Sequence, residues 1–233
     1  MAHAYTADVR FAQLHAWNLT PTEAIALQRE LAPRVVREGE PRGVRLIAAA
    51  DVAGLGREWP RQPSRGRAAA VVMSWPELAV VESAVIEDDF RFPYVPGLLS
   101  FREIPLLARV FERIHSTPDL LLVDGQGISH PRRLGIAAHV GLLADVPTIG
   151  CAKSRLCGEH PDLAPRRGAA VDLHDHAELV GRVVRTREGV KPLYVSVGNN
   201  ISLEASVDWV LRLATRFRLP EPIRIADALS KGR

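Results

Sequence analysis

Two apolar runs of this chain end on carboxylates: LIAAAD at Asp51 and LLLVD at Asp124. In α/β sheets, sites lie beyond the carboxyl ends of the strands. If the two runs are parallel neighbours, Asp51 and Asp124 stand side by side. Carboxylates that close repel unless a proton or a cation lies between them. A hard divalent ion such as Mg2+ binds through one or two carboxylates, keeps several waters and takes further oxygens from a substrate phosphate. Singly, either Asp is more simply a turn or cap residue. Two of them bring the metal reading level with that one.

The stretch DGQGISHPRRLG (124–135) follows the second carboxylate. Its Gly-x-Gly is not a dinucleotide fingerprint, because His130 stands where the third Gly belongs. Gly125 and Gly127 let backbone pass close to a ligand. With Pro131 at a first helical position, His130, Arg132 and Arg133 would surround a helix N-terminus, which favours anions. The plainer reading of the Arg pair is a solvated face. Glu103 is open on local grounds: SFRE (100–103) matches a capping box, whereas a helix starting at Pro105 would leave Glu103 free to point into a site. FPYVPG (92–97) holds Tyr94 between two prolines. A rigid loop aromatic suits stacking on bases or wedging between them; the alternative is a Tyr packed down on the core.

The elements that must position these residues follow from pattern. LTPTEAIALQRELAPRVVRE (19–38) reads as a helix with Thr20 as N-cap and Glu23 completing a capping box. Residues 44–54 form a buried strand, and 68–75 and 78–88 a hairpin about Pro76. Residues 91–103 are too rich in Pro and Gly to be regular. Helix 105–116, strand 119–125, helix 133–145 and strand 147–153 come next. After irregular polar sequence, AAVDL, ELVGRVVRT and LYVSVG read as strands and 202–217 as an amphipathic helix. A three-stranded meander followed by alternating strands and helices predicts a mixed α/β sheet covered by helices, in one domain spanning residues 1–233.

Composition narrows the classes. Hydrophobic residues make up 47% and charged residues 24% of the 233, which is globular and argues against disorder. No apolar run approaches the ~18 residues of a membrane span. MAHAYTADVR lacks the basic start and apolar stretch of a signal peptide, so a cytoplasmic protein is expected. Cys151 and Cys157 match no metal or redox spacing, and Cys151 reads as a buried inert thiol. A net charge of +3 permits a nucleic-acid partner without demanding one. Only Lys153, Lys191 and Lys231 are lysines among 30 basic residues. Genomic base composition accounts for such a skew, yet it draws attention to Lys153 at the end of an apolar run.

Together AAADVAG, PYVPGLLSFRE, DLLLVDGQGISHPRRLGIAAHVGLLADVPTIGCAKSRL, PLYVSVGNNISLEASVDWV and RLPEPIRIADA resemble the endonuclease V family of deoxyinosine-specific repair nucleases. The resemblance spans roughly residues 15 to 230, and its central motif is highly specific. It implies a ribonuclease H-like mixed β-sheet flanked by helices. It also implies Mg2+-dependent cleavage, with Mn2+ substituting, at the second phosphodiester 3′ to hypoxanthine. Asp51, Glu103 and Asp124 match the family's metal-binding carboxylates, and Asp227 falls where it carries a late Asp or His. His130 and Lys153 match residues near the scissile phosphate. Tyr94, with Pro93, Val95 and Pro96, matches the strand-separating wedge; Gly127 and Leu156 fall where the family lines its base pocket. Arg132 is expected at phosphate beside His130. Asn199 departs from the His of many members, which puts any role there in doubt. The implied partner is deoxyinosine-containing DNA, with inosine-containing RNA as the alternative. A binding module without catalysis is disfavoured by four intact carboxylates, and a nucleotide-cofactor enzyme by the broken glycine pattern.

Overall fold

The computed structural model describes residues 11–56 and 64–233. The N-terminal decapeptide read for a signal peptide lies outside them. One eight-stranded sheet carries the fold, in the order β3-β2-β1-β4-β5-β8-β7-β6. In chain order the strands are β1 (Leu46–Leu55), β2 (Arg65–Ser74), β3 (Val80–Asp89), β4 (Leu120–Val123), β5 (Thr148–Ala152), β6 (Ala170–Asp175), β7 (Glu178–Val184) and β8 (Leu193–Asn199). The helices are α1 (Pro21–Leu31), α2 (Leu99–Phe111), α3 (Ile136–Ala144), α4 (Leu203–Leu213) and α5 (Glu221–Ser230). β1, β4 and β5 run parallel to one another, and the remaining neighbours pair antiparallel. The expected mixed sheet flanked by helices is what forms.

Strand alternation sorts side chains between two cores. Ala49, Leu122, Ile149 and Cys151 pack with Trp209 and Val210 of α4 and with Ile223 and Ala226 of α5. Ala48, Ala50, Leu121 and Val123 pack with Ile104, Leu107, Val110 and Phe111 of α2 and with Ala137 and Val140 of α3. Two residues beyond Ala49, Leu122 and Cys151 come Asp51, Asp124 and Lys153. By the period of two, all three belong to the α4/α5 face. Cys151 is buried, as expected.

Three sequence expectations are corrected. α2 begins at Leu99 and not at Pro105, so both Glu103 and Pro105 lie inside it. Leu98 caps it without a side-chain hydrogen bond, and the capping box of Ser100 and Glu103 does not form. An interior proline costs about 3 kcal/mol. Burying Phe101, Ile104, Leu107, Val110 and Phe111 on one helix face outweighs it, at about 1.5–3 kcal/mol for each large side chain. α3 begins at Ile136 with Gly135 as its cap, so Pro131 precedes the helix and is not its first residue. α5, which no local pattern had marked as a helix, packs on β1 and β2 and supplies one wall of the site described next. At the N-terminus the capping box of Thr20 and Glu23 forms as expected.

Candidate active site

The parallel register pairs Ala50 with Val123, so Asp51 and Asp124 are the next residues along two adjacent strands. β1 does not stop at Asp51. It continues to Leu55 against β2, while its pairing with β4 ends. This divergence opens the cleft. From above, α5 delivers Asp227, and ligand oxygens of Asp51, Asp124 and Asp227 all lie within 4.8 Å of one another. Ser230, also on α5, donates its hydroxyl to Asp51 Oδ2 and fixes that carboxylate's rotation. Glu103 reaches the same cleft from α2, on the other layer, and stands outside the group of three.

Electrostatics of the cleft are those of an unneutralised acidic cluster. Burial pushes Glu103 well above the carboxylate range, and the charges of Asp51 and Asp124 push it further. Burial likewise raises Asp124 to about 6 against the pull of Lys153. Lys153 Nζ lies 2.5 Å from Asp124 Oδ2 and also pairs with Asp227 Oδ1. Burial disfavours its ammonium, but the two carboxylates together hold its pKa above the ordinary lysine value. Burial would raise Asp227, yet Lys153 and Lys231 outweigh it and keep Asp227 low. Lys231 Nζ sits 2.7 Å from the same Oδ1. Two of the chain's three lysines therefore converge on one carboxylate oxygen.

The residues fit a divalent cation. The donors are hard carboxylate oxygens, the set Mg2+ and Mn2+ take. Asp124 Oδ2 is buried, and its near partner is the Lys153 ammonium 2.5 Å away, a cation in the place where a metal ion would compete.

Beside the carboxylates lies a cavity of about 360 Å³, lined by Tyr94 to Gly97, Gly125, Gln126, His130, Leu134, Lys153 and Leu156 among others. Tyr94 is 50% exposed and borders both this cavity and the acidic cleft, so it is not packed on the core. Its loop is held at both ends by buried Phe92 and Leu98, and Pro93 and Pro96 face solvent with it. Arg102 Nη1 donates to the Phe92 carbonyl at 2.7 Å, and its guanidinium stacks 3.8 Å over Phe90. Leu156, 48% exposed, forms the cavity rim.

Several expected site residues do other work here. Gly127 is outside the cavity lining; a Cβ there would meet the Val197 carbonyl oxygen at 1.9 Å, so the glycine lets β8 approach. His130 is buried and neutral, its pKa lowered to about 4 by burial and then by Arg132. Its Nδ1 accepts from the Arg132 backbone N–H at 3.1 Å, which leaves Nε2–H to donate to Gly97 O at 3.0 Å. Arg132 is neither on a solvated face nor aimed outward: it bonds Gln28 and Gly97. Arg133 bonds Asp175 and Glu178. Asn199 is buried; its Oδ1 accepts from Val36 N–H and its Nδ2 donates to Gly141 O, a structural tie away from the carboxylates. Local sequence did not point to Gln28, Ser230 or Lys231. For the last two, Pro222 and Glu221 in a first turn are a usable helix-start signal.

Comparison with known proteins completes the picture. The model of the family described as Endonuclease V matches residues 29–228. An endonuclease V of Dehalococcoides mccartyi is 52% identical over 220 residues, covering 94% of this chain and 96% of that protein. The crystal structure of an endonuclease V from Streptomyces avermitilis superposes with a TM-score of 0.85 at 39% identity, covering 97% of each chain. An endonuclease V of Ciona intestinalis, solved with a 23-mer DNA containing an inosine followed by a ribo-adenosine, gives a TM-score of 0.78 at 26% identity, covering 92% of this chain and 98% of that one. The sheet and its helices are thus the ribonuclease H-like fold that the resemblance implied.

Proposed function

The chain belongs to the endonuclease V family, and on that premise we propose that it is a Mg2+-dependent DNA-repair endonuclease. Its reaction would be to nick the strand 3′ to deoxyinosine, at the second phosphodiester. The observation that carries this reading is the convergence of Asp51, Asp124 and Asp227 within 4.8 Å, beside a cavity bordered by an exposed, rigidly mounted tyrosine. Asp51, Asp124 and Asp227 would hold the ion, with Glu103 beside them. A bound Mg2+ or Mn2+ supplies stabilisation of charge on the scissile phosphate and the leaving 3′-oxygen, and lowers the pKa of a water.

The chain's own groups do the rest. Ser230 orients Asp51. Lys153 offers a compact positive charge at the cleft floor, suited to a phosphate oxygen. Tyr94 fills the gap left in the duplex when the damaged base swings out, and the cavity between Tyr94 and Leu156 receives that base. Hypoxanthine lacks guanine's exocyclic amine and pairs weakly, so its extrusion costs less than that of a normal base. His130 acts here through the Gly97 carbonyl and not as a proton donor, since both ring nitrogens are engaged. The match over residues 29–228 supports reading the chain as one catalytic domain. No described helix is long and apolar enough to cross a membrane, and we place the reaction in the cytoplasm.

Inosine-containing RNA is the second reading, favoured by the ribo-adenosine in the Ciona complex. Single-turnover rates on sequence-matched deoxyinosine and inosine strands, with product ends mapped to the nucleotide, test both. Cleavage one bond beyond the lesion's nearest 3′ linkage, faster on DNA, is the expected result. Faster cleavage of RNA would move the assignment to the second reading, and no cleavage of either would end both.

A further inference from the structure

Gly97 closes the loop that carries Tyr94, with φ at +79°. Its carbonyl oxygen accepts from three side chains: Gln28 Nε2 at 3.0 Å, Arg132 Nη2 at 2.8 Å and His130 Nε2 at 3.0 Å. A carbonyl has two lone pairs, and a loop needing only to be solvated would leave them to water. Gln28 lies on α1, 69 residues from Gly97, and is fully buried. Its other Nε2 hydrogen goes to Leu134 O at 2.9 Å, and its Oε1 accepts from Arg132 Nε at 2.5 Å. One amide therefore bonds the end of the Tyr94 loop, the backbone at Leu134, which also lines the cavity, and the Arg132 guanidinium. Gln28, Gly97, His130 and Leu134 all line the cavity.

We infer that Gln28 is a positioning residue for lesion recognition, setting the Tyr94 loop against the cavity wall at Leu134 through the Gly97 carbonyl. The inference rests on the proposed roles of Tyr94 and the cavity. The chemistry requires an amide: two N–H groups for two carbonyls, and one oxygen for an arginine. Glutamate matches the shape but donates nothing, and methionine matches the length but strips Leu134 O and Arg132 Nε–H of the bonds made to Gln28 and leaves the Gly97 carbonyl to Arg132 and His130. The effect is largest on substrates that must be opened, because a positioned wedge matters most where bases are stacked and paired.

The test compares Gln28→Glu and Gln28→Met with wild type on deoxyinosine duplex and on the same strand alone, measuring KM and kcat separately, with thermal melting alongside. The expected result is a tenfold or greater rise in KM for duplex. On single strand, whose base still enters the cavity that Gln28 lines, the rise in KM should be at least fivefold smaller than on duplex, and kcat should change less than KM on both. Proportional losses on both substrates would show that Gln28 only supports the fold, and unchanged values on both would show that it does nothing; either overturns the inference. Should the Gln28 variants not fold, Arg132→Lys decides by the same split, since lysine keeps the charge but lacks the Nε–H that Gln28 receives. A wild-type protein that does not distinguish deoxyinosine from deoxyguanosine duplex would instead overturn the reading on which the inference rests.

Discussion

Asp51 and Asp124 sit side by side, one residue past the last paired residues of two parallel strands, Ala50 and Val123. Neither the α4/α5 core below them nor the lysine beside them neutralises the pair and Asp227 together. Lys153 and Lys231 bring two positive charges against Asp51, Asp124, Asp227 and the nearby Glu103. A divalent cation would complete that balance as Glu103, whose pKa burial holds high in the metal-free cleft, gives up its proton.

Mg2+ should therefore raise the melting temperature in a saturable way, because a ligand bound only by the folded state stabilises it. At a hundredfold excess over Kd the gain is about 2.7 kcal/mol. Asp51→Asn or Asp227→Asn should abolish most of that shift while leaving binding to deoxyinosine DNA in EDTA largely intact. A full Mg2+ shift in Asp51→Asn would remove the carboxylate cluster as the metal site.

Lys153→Ala should slow cleavage, and the dependence of log affinity on log salt should become shallower by about one unit if one phosphate contact is lost. It should also enlarge the Mg2+-induced thermal shift, because Asp124 and Asp227 lose the ammonium that partly neutralises them. An unchanged salt slope and rate would return Lys153 to the background of basic surface residues.

Tyr94→Ala should weaken binding to lesion duplex by roughly ten- to a hundredfold, the equivalent of one base–aromatic stack of ~1–3 kcal/mol. Single-stranded substrate has nothing to wedge open and should keep most of its rate. Equal losses on the two would recast Tyr94 as packing that positions Glu103 on the adjoining helix.

His139 gives a pH dependence unrelated to the cleft. It is fully buried on α3, and its Nε2 lies 2.8 Å from His15 Nε2. His15 Nδ1 faces the Ala16 carbonyl as donor, so His15 Nε2 accepts and His139 Nε2 carries the proton. His139 Nδ1 is left bare and buried, and burial lowers its pKa to about 3. The unfolded chain takes this proton near 6.5, so stability is complete above that pH and falls between 6.5 and about 3. From pH 7.5 to pH 5 the loss is about 2 kcal/mol. Urea denaturation of His139→Gln should show a pH difference smaller by that amount. An identical difference in wild type and variant would mean that His139 titrates normally.

Much of the site was legible because short-range rules governed it. Apolar runs ending in Asp51, Asp124 and Lys153 announced two strand ends and the point where β1 parts from β4, and strand parity then put them on one face. What stayed hidden depended on distant partners. Glu103 was placed outside a helix by the rule for Pro105, which the burial of Phe101 through Phe111 overrode. Arg132 and Arg133 looked free until Gln28, Asp175 and Glu178, each more than 40 residues away, were brought to them. Gly127 reads as ligand space, and its missing Cβ also makes room for the Val197 carbonyl of β8, a partner 70 residues away.

The most direct measurement is strand scission of one labelled duplex by wild type and Asp124→Asn, each with Mg2+ and with EDTA, on deoxyinosine and matched deoxyguanosine strands. The expected result is a nick only with wild type, Mg2+ and deoxyinosine together, while Asp124→Asn still retards the deoxyinosine duplex in a gel. Cleavage in EDTA, near-native cleavage by Asp124→Asn, or equal cleavage of the deoxyguanosine strand would contradict a metal-dependent, lesion-selective nuclease.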